Sequence, residues 1–237
     1  MRVYKNKINL NKDDLEIFFK GRGNRLKKDP LTAVLYQDNN PKLAHQRDQF
    51  EKEKILPLLK LTRDDKVLDI ACGIGRWVDV LHEQVELYTG IDFQSEFIHY
   101  ARNKYKEYSN ISFLVLDATM ISPDTLGRSD YTKVLIGGLL LYLNDNQIAH
   151  LFESLVDVTS VDALVYLREP IAIDDRLSLK KNWSEDLNQN YSAVYRTREK
   201  ILSLIKGFVV SKEDNMYENN LNNRKETKQY YFLLKKL

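Results

Sequence analysis

Sulfur chemistry is nearly absent from this chain. Its 237 residues include one cysteine, Cys72, so no intramolecular disulfide can form and a reducing, cytoplasmic setting is expected. The four histidines, His45, His82, His99 and His150, are scattered, and no carboxylates cluster with them at ligand spacing, so no metal site is expected. Long apolar runs are missing as well: nothing approaches a membrane span, and the opening "MRVYKNKINLNKDDLEIFF" has no apolar signal core. Nor is there an excess of one charge. Lys plus Arg number 36 and Asp plus Glu 34, a net charge of +2, which leaves no basic footprint for a nucleic acid. Repeats and low-complexity stretches are absent. What is present is a 43% hydrophobic composition, enough for one decorated α/β domain or at most two small ones.

Residues 1–60 read as helical and polar. "NKDDLEIFFKGRG" opens with a cap at Asn11 or Asp13, and "PKLAHQRDQFEKEKILPLLK" carries Leu43, Phe50, Ile55, Leu58 and Leu59 on a helical period. Between them, "DPLTAVLYQDNNP" mixes polar and apolar groups with two prolines, which suits a lid over residues 20–45 that brings Tyr36 over a cleft. From residue 66 the text alternates. The runs "KVLDIA", "ELYTGID", "ISFLVLDA", "YTKVLIGGLLLYL" and "DALVYLRE" are short and nearly continuously apolar, and helical patterns separate them. That predicts a parallel sheet covered on both faces. The end differs: "FVVSKEDNMYE" and "ETKQYYFLLKK", joined by a polar loop, predict an antiparallel pair. The segment 170–195 has no clear period and is expected to decorate the ligand-binding edge.

The stretch "KVLDIACGIGRWVDVL" sets two glycines, Gly73 and Gly75, where the first strand hands over to the first helix. Glycine is poor inside either element, so a ligand is expected close to the backbone there. A dinucleotide site would have a third glycine in G-x-G-x-x-G; here that place is Val78. An oxidoreductase is therefore disfavoured.

"VLDIACGIG" resembles the first motif of the class I S-adenosylmethionine-dependent methyltransferases, "GIDFQSEFI" their second, "VLDAT" the third and "VLIGGLLLYL" the fourth, in order and over about residues 60–237. The resemblance implies a Rossmann-like seven-stranded, mostly parallel sheet with an antiparallel C-terminal hairpin, helices on both faces and a helical N-terminal cap, residues 1–60. It implies binding of S-adenosylmethionine, with S-adenosylhomocysteine as product. Asp92, with Phe93 beside it, would accept the ribose hydroxyls. Asp117, next to Ala118, would meet the adenine amine, unless it is only a turn-former. Asp69 would lie near the methionine amine, unless it serves as a cap or turn carboxylate. Arg76, directly after Gly75, would hold the methionine carboxylate with a bidentate fork. A non-catalytic, cofactor-binding regulatory module is the alternative of a different class.

The acceptor side is less defined. "GIGR…GIDFQSEFI…YSAVYR" is also similar to the methyltransferases of protein N-terminal α-amines, but Tyr142 stands where that group has a histidine and Tyr191 where it has an aspartate. The segment 29–59 resembles bacterial small-molecule methyltransferases, some of polysaccharide and modified-sugar biosynthesis, which implies a small sugar-like or nucleotide-sugar acceptor with a hydroxyl or amine nucleophile. Candidates near the acceptor are Tyr142, Arg168, Glu169, Tyr191 and Tyr195. Glu169, ending an apolar strand, is expected to face the cleft as base or hydroxyl-binding group, with Tyr142 and Tyr191 as its catalytic neighbours.

Overall fold

The computed structural model describes residues 1–27, 29–185, 187–222 and 224–237. Lys28 and Asp186, inside the segments expected to form a lid and an edge decoration, lie outside the described residues.

The chain opens with strand β1 (Arg2–Tyr4), followed by helices α1 (Lys12–Gly23), α2 (Pro30–Leu35) and α3 (Pro41–Leu59). Each helix starts on a side-chain cap. Asn11 accepts from the backbone N–H of Asp13 and Asp14, while Asp29 and Asn40 cap α2 and α3 just before a proline at the first helical position. The alternating part follows: β2 (Lys66–Ile70), α4 (Val78–Leu81), β3 (Leu87–Asp92), α5 (Ser95–Lys104), β4 (Ile111–Val115), α6 (Pro123–Leu126), β5 (Tyr131–Gly137), α7 (Asp145–Val158) and β6 (Thr159–Ala172). Last come β7 (Leu177–Ser184), β8 (Gln189–Tyr195), α8 (Arg198–Leu202), β9 (Phe208–Asn215) and β10 (Thr227–Lys236).

The main sheet has seven strands in the order β4-β3-β2-β5-β6-β10-β9. Its first five strands pair in parallel, and β10 lies antiparallel to both β6 and β9. Alternate residues of one strand feed opposite faces, the period-2 rule of a pleated strand. Val134 and Ile136 join one core with Ile148, Leu151 and Phe152 of α7, while Leu135 joins the other with Ile55 and Leu59 of α3, Leu81 of α4 and Ile98 of α5. Both faces are therefore apolar, which is why the strands read as continuous runs.

The segment 170–195, expected to decorate the ligand-binding edge, contributes strands: β6 runs on to Ala172, and β7 and β8 form a second, three-stranded antiparallel sheet with β1. The register shifts between Leu179 and Asn182, and that irregularity erases the period of two from the sequence. One expectation needs correction: the N-terminal segment is not helical throughout, since Arg2–Tyr4 pairs with β7. Three residues are too few to show a period.

The two motif glycines do different jobs. Gly73 has a φ of 55° and faces the ligand edge. Gly75, with a φ of 71°, lies where an added Cβ would come within 2.9 Å of the Phe113 ring and 3.1 Å of Tyr105, so it lets the loop sit tightly on β4 and α5. Gly75→Ala should therefore destabilise the fold by about 2–4 kcal/mol, left-handed backbone strain plus overpacking. Gly127→Ala, at a similar φ of 69° with open space around it, should cost only the strain, about 1–2 kcal/mol. Urea denaturation of the two variants checks the difference, and equal losses would remove Gly75 from the packing.

Candidate functional site

A cleft of about 270 Å³ opens at the C-terminal ends of the parallel strands, where open α/β sheets bind ligands. Ala71, Gly73, Asp92, Phe93, Leu116, Asp117 and Ala118 form one side. Gly137, Gly138 and Leu139 follow β5, and Arg168, Pro170 and Gln229 close the far side. The roof comes from the N-terminal helices through Leu15, Glu16, Phe19, Val34, Leu35 and Tyr36. The covering segments thus include residues 10–19 as well as 34–36, whereas 20–45 was expected. The missed signal was the spacing Leu15, Phe18, Phe19 along α1, a helical apolar stripe.

Asp92 ends β3 inside the cleft. Its Oδ2 accepts from Gly73 N at 3.0 Å and its Oδ1 from Gln94 N at 2.9 Å, which fixes the carboxylate and ties the glycine loop to the second strand. Burial pushes its pKa up to about 6, against the opposing pull of those two N–H groups. Asp117 lines the same wall and caps the turn after it, accepting from Thr119 N at 2.9 Å. Both of its expected roles are therefore compatible with its position. Ala71, with a φ of 57°, and Tyr36, also at 57°, hold left-handed backbone at the cleft, the kind of strain that collects at ligand sites.

Other candidates sit elsewhere than expected. Asp69 is buried beneath the cleft, where it accepts a hydrogen bond from the Tyr88 hydroxyl at 2.6 Å; burial pushes it up to about 7. Arg76 is not part of the cleft lining. Its fork is taken by Asp48 and Glu51 of α3, each at 2.8 Å, and its face lies 5.0 Å from the Trp77 ring centroid. Glu169 is turned away from the cleft as well. Residues alternate along β6, so Arg168 and Pro170 line the cleft while Glu169 points behind it, 1% exposed. Its Oε1 accepts from Leu139 N at 2.7 Å and Leu140 N at 2.8 Å. Tyr142 does line the cleft, packed edge-on to Phe19 at 5.0 Å and beside Phe18 and Tyr36. Tyr191 does not line it; it pairs with the Tyr195 hydroxyl at 3.1 Å and packs on Phe18. His45 is exposed and stands 3.4 Å from Asp29. Among the described residues no three His, Cys, Asp or Glu side chains come together as a metal site, and no helix is long and apolar enough to cross a membrane.

The Methyltransferase domain family matches residues 67–162, from β2 to the start of β6. Phosphoethanolamine N-methyltransferase 3 of Arabidopsis thaliana is 28% identical over 127 residues, 53% of this chain and 26% of that protein. Phosphoethanolamine N-methyltransferase 1 of the same plant is 30% identical over 128 residues, 53% of this chain and 26% of the relative. The matched stretch thus spans about a quarter of these relatives' length. Among solved structures, phosphoethanolamine N-methyltransferase 1 of Haemonchus contortus, in complex with phosphoethanolamine and S-adenosylhomocysteine, superposes with a TM-score of 0.75 at 20% identity, covering 96% of this chain and 50% of that one. The N-methyltransferase NodS of Bradyrhizobium japonicum, in complex with S-adenosylhomocysteine, gives 0.62 at 14% identity, covering 92% and 98%. Residues 67–162 thus match the model of a methyltransferase domain, and the chain has the fold of these solved methyltransferases.

In this fold the turn after β5, residues 139–143, is held from two sides. Glu169 takes its N–H groups, and Arg196 donates to Leu140 O at 2.7 Å and Leu143 O at 2.6 Å while bonding Asp145 at 2.8 Å. Glu169 therefore positions Leu139, Leu141 and Tyr142. Its pKa is pushed up to about 7 by burial, which outweighs the N–H groups and Arg168. The residue that sequence reasoning missed altogether is Glu51. Its Oε1 accepts from Arg76 at 2.8 Å, Tyr166 at 2.7 Å and Arg168 at 3.2 Å, with no exposed surface. A lone Glu on a polar-looking helix carries no mark of burial in the text.

Two outcomes follow for stability. Burial alone would raise the Glu51 pKa, but Arg168 and Arg76 outweigh it and hold the carboxyl at about 2, below its ordinary 4.5. A depressed acid contributes stability above its unfolded pKa and loses it as pH falls through the folded one. Glu51→Ala, which strands two buried guanidinium groups, should cost about 3–5 kcal/mol at pH 7, and the gap to wild type should close as pH falls from about 4.5 toward 2. Chemical denaturation at a series of pH values measures it; a gap that does not depend on pH would refute the ion-pair account. For Glu169, Glu169→Gln keeps an acceptor for Leu139 and Leu140, whereas Glu169→Leu orphans both at about 1–3 kcal/mol per buried group. The Leu variant should melt well below the Gln variant, and coincident melting curves would free the 139–143 turn from Glu169.

Proposed function

We propose that this protein is an S-adenosylmethionine-dependent methyltransferase acting on the amine of a small molecule. The observation that carries the cofactor reading is Asp92: a fixed carboxylate in the cleft, bonded to the glycine loop, with acceptor capacity left over for a pair of vicinal hydroxyls. Gly73 beside it presents backbone without a side chain, and Asp117 stands on the same wall for an amino-substituted ring. These residues fit the adenosine half. The bound cofactor supplies an already activated methyl on a sulfonium, so the protein's task is alignment and exclusion of water.

The acceptor reading rests on what lines the rest of the cleft. Leu10, Leu15, Phe19, Tyr36, Leu139, Tyr142 and Leu143 are apolar or aromatic, and polar groups gather at Lys12, Glu16, Asn144 and Gln147. Among the described lining residues there is no histidine, and Glu169, the expected base, serves the backbone of the 139–143 turn. A hydroxyl nucleophile needs a base near its proton; a neutral amine needs only aim. Aromatic faces at Phe19, Tyr36 and Tyr142 also suit an amine that becomes cationic on methylation. The two plant relatives compared above are named for N-methylation, which supports the same choice. A sugar-like body, and with it a role in polysaccharide biosynthesis, finds support only in the polar group of Lys12, Glu16, Asn144 and Gln147.

Binding of S-adenosylhomocysteine tests the cofactor reading. Ribose hydroxyls bond the ionised form of Asp92, so affinity should be full above pH 6 and fall by up to about tenfold per unit below it, as a proton must be released on binding. Asp92→Asn should bind weakly at all pH values and with a flatter profile; comparing the two separates Asp92 from Asp69, which titrates nearby. Calorimetry from pH 5 to 8 gives the answer. Equal profiles for wild type and variant would place the ribose elsewhere, and tighter binding of NAD than of S-adenosylhomocysteine would sink the reading.

A further inference from the structure

We propose that Arg168, rather than Arg76, binds the carboxylate at the amino-acid end of the cofactor. The proposal rests on the S-adenosylmethionine reading above and assigns the half of the ligand that Asp92 and Asp117 do not reach. Arg76 has no capacity for it. Its two terminal nitrogens are already engaged by Asp48 and Glu51, its other face lies on Trp77, and a third carboxylate brought there would meet two negative charges. Arg168 keeps one terminal nitrogen available. It lines the cleft, its Nε is bonded to Glu51 at 3.2 Å and its Nη1 to Gln229 at 3.1 Å, and its Nη2 makes no hydrogen bond among the described residues.

Register places this cation at the right distance. Asp69 pairs with Gly90 on one side and Leu135 on the other, so the row at the strand ends runs from Asp92 through Ala71 to Gly137, and Gly137 pairs with Arg168. The guanidinium folds back over Gly137: a Cβ built there would lie 3.1 Å from Nη2. That puts the charge about 10 Å, two strand spacings, from Asp92, the stretch that the amino-acid arm must cross after leaving the ribose. Gly137 has no side chain to block the approach, and Gln229 and Glu51 fix the guanidinium on its other edges, so little conformational freedom is lost when a carboxylate docks. The other cation of the cleft lining, Lys12, is exposed at the mouth and stands 3.8 Å from Glu16.

Calorimetry on the full chain with two ligands tests the assignment: S-adenosylhomocysteine, and its decarboxylated analogue, which keeps the amine and thioether. Wild type should prefer the carboxylate-bearing ligand by about 10- to 100-fold, the range of a charge-assisted bond. Arg168→Gln should abolish that preference by weakening S-adenosylhomocysteine alone, with the analogue bound within about threefold of wild type. Arg168→Lys, which keeps a positive charge for the Glu51 cluster if the Gln variant does not fold, should reduce the preference in part, and Lys12→Ala should leave it intact. Because the readout is a ratio within one variant, a general loss of stability does not mimic it. A wild-type preference retained in either Arg168 variant would overturn this proposal and leave the cofactor reading standing. Failure of wild type to bind either ligand would overturn both.

Discussion

A single carboxylate, that of Glu51, joins the parts of this protein that make its cleft. It comes from α3, outside the family-matched segment, and accepts from Arg76 behind the glycine loop, from Tyr166 in the core of β6 and from Arg168 at the cleft wall. Burial of one acid beside one base is a poor source of stability, since desolvation consumes most of the attraction. Two guanidinium groups and a phenol around one carboxylate change the balance, and the carboxyl stays ionised at about 2. Through it, α3 is bound to the glycine loop and to the cleft wall. Arg47 adds to the same docking, donating to Leu221 O, and Lys54 bonds Asn215 O at 2.7 Å.

The roof is attached differently. The Arg22 guanidinium donates to Ala33 O at 2.9 Å, Thr32 O at 2.8 Å and both oxygens of Asp38, so α1 and α2 are joined as a unit. That unit is tied to the second sheet by Arg25, which bonds Leu187 O, and by Gln189, which donates to Phe18 O at 3.0 Å. These links are part-buried hydrogen bonds near the surface, much weaker to break than the Glu51 cluster. The small sheet of β1, β7 and β8 thus has a purpose in the architecture: it anchors the helices that cover the ligand edge. Val34 approaches within 3.0 Å of where a Cβ at Gly73 would stand, so the roof closes directly on the glycine loop.

Three buried carboxylates near this edge, Asp69, Asp92 and Glu169, share the opposite electrostatic state from Glu51. Burial raises each of them, to about 7, 6 and 7. For an acid raised in the folded state, stability is full below the unfolded pKa and is lost as pH rises through the folded value. At neutral pH the fold therefore carries a cost at Asp92, offset in part by the N–H groups of Gly73 and Gln94. Glu169 and Asp69 repay theirs in geometry, the first by holding the turn of Leu139 and Leu140 and the second by fixing Tyr88.

The sequence by itself determined the parallel sheet, its antiparallel end and one wall of the cleft. Those features are local: a continuous apolar run marks a strand buried on both faces, and a glycine between strand and helix marks a close backbone approach. Asp92, Phe93, Asp117 and Ala118 all fell on the cleft wall because each lies at or within a few residues past the end of a strand that was visible in the sequence. Where side chains point within a strand, and which distant group meets which charge, was decided only by tertiary structure. Arg168 faces the cleft and Glu169 its back because β6 runs on to Ala172, past the place where the apolar text stops. The Arg76 fork is taken by Asp48 and Glu51 because α3 packs on that face, and no spacing within residues 66–81 can report a helix that lies before them. A motif records what the backbone does within a few residues; the partner of a long, charged side chain depends on packing between elements far apart in the chain.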